Sequence, residues 1–106
     1  MAIANAQLSS SSKTPVFVAT GENAVTCIIF CNTSLSTDAT ISVWLVPSTA
    51  PAGAANQIIN ELSIPAGETF SIDTERFIME DSDSIQAQAS QNLIITATVS
   101  YVSTGQ

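Results

Sequence analysis

The sequence predicts an all-β fold, an antiparallel β-sandwich of about eight short strands, immunoglobulin-like or jelly-roll-like. Three observations predict it. Apolar and polar residues alternate over short runs. Turn residues interrupt those runs every ~8–12 positions. No segment carries a 3.6-residue apolar stripe of helical length. The chain has 106 residues, enough for one domain with a modest core. We divide it into an extended N-terminal arm (1–14), a sandwich domain (15–102) and a short C-terminal tail (103–106).

The elements follow in order. Residues 1–14 hold Ser9-Ser10-Ser11-Ser12-Lys13-Thr14 and few apolar side chains. They read as a frayed terminus, or as an arm that orders on a neighbouring subunit through Ile3 and Leu8. Val16-Phe17-Val18 is a short strand stopped by Thr20-Gly21-Glu22-Asn23. Next, Val25, Cys27, Ile29 and Cys31 alternate on one face of a strand whose other face carries Thr26, Ile28 and Phe30. Asp38 to Val46 is a third strand, with Ile41, Val43 and Leu45 on one side and Ser42, Trp44 and Val46 on the other.

Pro47 and a run of small residues make a loop. Asn56 to Ile64 is ambiguous between a strand and a helical turn followed by a strand, because Ile58, Ile59, Leu62 and Ile64 do not alternate strictly. Pro65-Ala66-Gly67-Glu68 reads as a turn with proline at its second position. Thr69 to Asp73 is expected to bury Phe70 and Ile72. Phe77-Ile78-Met79 is a further short strand. After an acidic turn, Ser84 to Ala89 alternates Ile85, Ala87 and Ala89 against Ser84, Gln86 and Gln88. The last strand puts Leu93, Ile95, Ala97, Val99 and Tyr101 on one side.

Composition excludes several functions. The chain has two Lys+Arg and nine Asp+Glu, a formal net charge of -7. Lys13 and Arg76 make no basic patch, so neither nucleic acid nor an anionic membrane surface is an expected partner. No apolar run approaches the ~20 residues of a membrane-spanning helix. With no histidine, Ser-His-Asp and Cys-His sites are absent from the chain, and two cysteines do not make a zinc site. The start of the chain lacks a basic segment followed by an apolar one, and we read the protein as made and kept in a reducing cytoplasm until assembly or lysis. Charged residues are only 10% of the chain, and 27 of its residues are Ser or Thr, so its surface is polar but mostly neutral.

Few residues invite a chemical role. Cys27 and Cys31 lie four apart on one strand, ~13 Å between Cα atoms, beyond the ~4.4–6.8 Å a disulfide tolerates; they read as small buried apolar residues. Glu80, Asp81 and Asp83 form the one carboxylate cluster, which lacks the spacing of a calcium loop; whether it holds an ion stays open. Trp44 reads as an anchor between two sheets, or else as an exposed contact for protein or sugar. Asp73 and Arg76 are spaced for a surface ion pair worth ~0–1 kcal/mol. No catalytic, cofactor-binding or metal-ligating residue is assigned.

A set of motifs goes further. Val43-Trp44-Leu45-Val46-Pro47-Ser48, then Asn56, then Ile64-Pro65-Ala66-Gly67-Glu68-Thr69, then Asp83-Ser84-Ile85-Gln86-Ala87-Gln88-Ala89-Ser90, then the Val99 strand occur in one order. This order, across roughly residues 15–102, resembles small β-sandwich structural proteins and modules of tailed-bacteriophage virions. The resemblance implies a non-enzymatic virion component. It favours a capsid decoration (cement) protein that binds the outer surface of the shell and bridges subunits of the major capsid protein. It also implies a homo-oligomer, with a trimer favoured. A tail, neck or fibre-associated module is the alternative, and a host-facing carbohydrate-binding module a more distant one.

Overall fold

The computed structural model describes residues 2–73 and 77–103. Nine strands build the sandwich: β1 (Ala2–Gln7), β2 (Thr14–Val18), β3 (Asn23–Asn32), β4 (Ala39–Val46), β5 (Gln57–Ile64), β6 (Thr69–Ile72), β7 (Phe77–Met79), β8 (Ser84–Ala89) and β9 (Ile95–Ser103). One sheet has the order β1-β9-β3-β6, with β7 also on β3; the other has the order β2-β8-β4-β5. All pairings are antiparallel.

The connectivity has a simple logic. Strands equally far from the Pro47–Asn56 loop pair with one another: β4 with β5, β3 with β6 and β7, β2 with β8, β1 with β9. The chain is thus one long hairpin rolled up, and the contacts of β3 with β9 and β4 with β8 close the roll. This strand order is that of a jelly roll, with its sixth strand divided into β6 and β7. It decides between the two sandwich types that the sequence left open.

The core lies between the sheets. Phe30, Ile28, Ile41, Val43, Ile85, Ile95 and Val99 are fully buried there. Tyr101 of β9 packs on Phe17 of β2 with ring centroids 4.4 Å apart, joining the sheets at one end. Asn32 is the one wholly enclosed polar side chain among the described residues. It donates to the carbonyls of Thr37 and Ile64, both at 2.9 Å, and accepts from the Ser34 N–H at 3.0 Å. A buried amide is tolerated when its bonding capacity is filled in this way.

Several expectations change. Residues 2–7, read as part of an arm, form an edge strand that pairs with β9 of the same chain from Ala2↔Tyr101 to Gln7↔Thr96. Leu8 is fully enclosed in the core. The sequence underrated this segment because its other inward residues, Ala4 and Ala6, are small. At the other end Ser103, assigned to the tail, is the last residue of β9 and pairs with Asn23; residues 104–106 lie outside the described residues. Leu93 is half-exposed in a turn at φ 61, not on the inner face of the last strand.

Bulges explain three more differences. A register shift between Val25 and Cys27 leaves Thr26 unpaired, its hydroxyl donating to the Ser100 carbonyl at 3.1 Å. Val25 therefore joins Ile28 and Phe30 inside, while Cys27, Ile29 and Cys31 face out. In β5, Asn60 and Glu61 together oppose Ser42, and Ser42 Oγ accepts the Glu61 N–H at 3.1 Å. The ambiguous segment is thus a helical turn followed by a strand: a 3-10 turn at Ala54–Asn56 leads into β5, whose inward residues are Ile59, Leu62 and Ile64. In β2, a shift between Pro15 and Phe17 lets Val16 and Phe17 both turn inward. The Pro65–Glu68 turn forms, but with Pro65 first and Gly67 third at φ +78; the Glu68 N–H closes it on the Pro65 carbonyl at 3.0 Å.

Candidate functional site

The acidic turn acts as a clamp. Asp83 Oδ1 accepts the Ser48 N–H and its Oδ2 accepts the Glu80 N–H, both at 2.9 Å. Asp81 Oδ1 accepts the Gly21 N–H at 2.9 Å. Two of the three carboxylates thus tie together the loops after β2, β4 and β7. Among the described residues no group of three or more His, Cys, Asp or Glu side chains is placed to hold a metal ion. Arg76, the expected partner of Asp73, lies outside the described residues. Cys27 and Cys31 are unpaired and half-buried on the outer face of β3, not enclosed in the core.

Trp44 is not between the sheets. It points away from Ile41, Val43 and Leu45, as the alternation required, and so lies on the outer face of the β2-β8-β4-β5 sheet. It is nonetheless only 7% exposed. The Lys13 ammonium covers its ring at 4.8 Å from the centroid, a cation–π contact. Beside it runs a groove of about 530 Å³ lined by Ser42, Gln57, Asn60, Glu61 and Gln88. Two of its amides are committed: Gln57 Nε2 donates to the Ile59 carbonyl at 3.0 Å, and Gln88 Nε2 to the Ser10 carbonyl at 3.0 Å. Glu61 stands at φ 55, a left-handed backbone imposed by the bulge. A smaller, more apolar notch of about 320 Å³ lies between Val46, Pro47 and β7.

The other outer face has a different character. On the β1-β9-β3-β6 sheet, opposed residues share a side. Asn5, Thr98, Ile29 and Ser71 form one row across four strands, and Gln7, Thr96, Cys31 and Thr69 the next. Asn5 Nδ2 donates to Thr98 Oγ1 at 2.9 Å within the first row. No strand of this sheet carries a charged side chain among the described residues. Among the described residues, the acids sit in turns and loops (Glu22, Asp38, Glu68, Asp73 and the Glu80–Asp83 turn) or, as Glu61, on β5. In a chain of net charge -7, the described strands of this sheet thus present a face of hydroxyl, thiol, amide and aliphatic groups without charge.

The strand edges differ as well. Free edges are normally protected by shortness, proline, charge or bulges. β2 has Pro15 and a bulge; β5 has its bulge and Glu61; β6 and β7 have four and three residues. β1 has six residues, none charged and none proline, in unbroken register, with Ile3 67% exposed. Sequence reasoning noticed Ile3 but not the edge it lies on, since an edge is defined only by the pairing. Comparison of the chain with protein-family models and with curated proteins returns no match, so its reading rests on these surfaces and on its motifs.

Proposed function

We propose that the protein is a non-enzymatic structural component of a tailed-bacteriophage virion, a capsid decoration protein that lies on the outer surface of the shell and bridges neighbouring capsid subunits. The observation that supports this most is the neutral outer face of the β1-β9-β3-β6 sheet. Interface cores are depleted in charge, because a charge taken out of water without a partner is costly. Thr98, Ile29, Cys31 and Ser71 can be buried against another protein at little such cost. The net charge of -7 repels the packaged nucleic acid. The virion reading is supported by the resemblance that the order of the strand and turn motifs carries, and jelly rolls are a frequent architecture of viral capsid domains, which is support by analogy.

The action is adhesive. Each copy spans a boundary between shell subunits, and the shell must break that contact to swell or open. One contact of standard size buries ~1,200–2,000 Å² in total; repetition over the shell multiplies weak contacts. The test uses particles lacking the protein. Added protein should bind them and raise their resistance to heat and osmotic shock. Ile29→Lys, at the centre of the neutral face, should fold normally and fail to bind. No binding by the parent protein, or full binding by Ile29→Lys, overturns the reading. In place of capsid binding, a copy number of about a dozen per particle would favour the tail, neck or fibre alternative. The carbohydrate alternative loses its expected support, since Trp44 lies under Lys13 and Tyr101 packs on Phe17, leaving a sugar ring no open aromatic platform on either.

A further inference from the structure

We propose that the protein pairs with a second copy of itself along β1, antiparallel, so that two five-stranded sheets become one continuous sheet about a twofold axis. The inference stands apart from any role on a shell. It rests on which backbone groups β1 leaves open and on what the other edges forbid.

The open groups follow from one hydrogen bond. The Leu8 N–H donates to the Ile95 carbonyl at 2.9 Å, and this pair continues the β1–β9 register beyond Gln7↔Thr96. In an antiparallel ladder the backbone groups of alternate residues point to opposite sides. The N–H and C=O groups of Ala2, Ala4 and Ala6 therefore face β9, and those of Ile3, Asn5 and Gln7 face the free edge. These three residues also carry the outward side chains of β1.

A twofold axis perpendicular to the sheet keeps outward residues opposite outward residues. Centred on Asn5, it sets Asn5 opposite Asn5 of the second copy and Ile3 opposite Gln7 of the second copy. All three open residues then form hydrogen-bonded pairs, about six backbone bonds in all at two per pair. Ala4 meets Ala6 of the second copy on the inner side, where small side chains allow close approach. No charge enters the junction.

The guarded edges select the partner. For β1 to dock on a different edge of a neighbour, as a threefold ring would require, it must pair with β2, β5, β6 or β7. Each is interrupted, charged or short. Only another β1 offers six uninterrupted residues, so the contact is isologous and closes as a dimer. This is twofold order, in place of the threefold order that the motif resemblance implies. The acids lie off the junction but give both copies the same sign, so added salt should strengthen pairing by screening their repulsion.

The test is the mass of the full chain by sedimentation equilibrium, from about 10 µM to about 1 mM, at low and at moderate salt, since self-association follows mass action. The expected result is a rise from one chain to two, at lower concentration in higher salt. Ile3→Pro removes an N–H on the open edge and none from the β9 ladder, a position that edge strands tolerate. It should remain folded by circular dichroism and stay monomeric, while Ile29→Lys on the sheet face should dimerise like the parent. Amide exchange gives a measurement without any variant: the Ile3, Asn5 and Gln7 amides should gain protection as concentration rises. A monomer at all concentrations and both salts, a trimer, or the same exchange at these amides at both extremes of concentration overturns the proposal.

Discussion

Leu8→Ala decides whether the first strand belongs to the fold. Leu8 is fully enclosed, in the core formed with Ile95, Val99 and Phe17. Its backbone is bonded on both sides, N–H to the Ile95 carbonyl and carbonyl to the Leu93 N–H, each at 2.9 Å. Truncating an enclosed leucine costs ~2–5 kcal/mol, the spread reflecting how far the cavity collapses. Here β1 sits at a sheet edge and can shift, which favours the middle of that range, about 3 kcal/mol. A domain of this size has ~5–15 kcal/mol in total. The melting temperature should then fall by ~12–24 °C, taking ~4–8 °C per kcal/mol. Urea unfolding followed by fluorescence gives the free energy directly, because Trp44 is the only tryptophan and sits in the opposite sheet. Leu35→Ala is the control: Leu35 is 93% exposed and should change stability by less than ~0.5 kcal/mol. If Leu8→Ala is as mild as Leu35→Ala, the N-terminal segment frays and β1 is not part of the native sheet.

Three further outcomes are expected. Asn32→Ala should cost about 3 kcal/mol in the same assay, since it empties an enclosed site and leaves the Ile64 carbonyl without its donor. Asp83→Ala should cost ~1–2 kcal/mol by releasing the Ser48 and Glu80 N–H groups, with Asp83→Asn in between because it keeps one acceptor; equal stability of all three would remove the clamp from the account. Lys13→Ala should shift Trp44 emission to longer wavelength and raise its quenching by acrylamide, with a stability loss of only ~0.5–1 kcal/mol. Unchanged emission would mean that Lys13 does not cover the ring in solution.

Strands with large inward side chains were legible in the sequence. β4, β8 and, from Ile95 onward, β9 alternate as expected, because Ile41, Val43, Ile85, Ile95 and Val99 give each inner face a strong apolar signal. β1 was not legible. Ala4 and Ala6 face inward but barely differ in hydropathy from a loop, and the strand is recruited by its register with β9, a contact across the whole length of the chain. Bulges were equally hidden: one extra residue at Thr26 inverts the facing of Val25 relative to Cys27 without any mark in the local pattern. The same limit applied to the candidate surface. A neutral sheet face is a property of four strands side by side, assembled from residues between Asn5 and Thr98 that no sequence window contains. Trp44 shows the complementary error: its side of the strand was legible, but the Lys13 cover that buries it outside the core was not.

The two proposals constrain one another through symmetry. Six residues of edge pairing make a small interface, well below the ~1,200–2,000 Å² of a durable complex, so the dimer alone should be weak and concentration-dependent. Its axis, however, is perpendicular to the sheet, and this leaves the neutral faces of both copies on the same side. A twofold axis within the sheet plane would turn them to opposite sides and would oppose outward residues to inward ones across β1. The pairing that satisfies the backbone is therefore also the one that doubles the area a flat surface could receive. On such a surface the second face binds at the effective concentration set by the first, and edge contacts too weak to persist in solution add to those of the faces. Loss of the edge by Ile3→Pro should then weaken attachment to particles without abolishing it, whereas Ile29→Lys abolishes it while leaving the dimer. The opposite pattern, with the edge essential and the face dispensable, would make β1 the adhesive element and the neutral face a bystander.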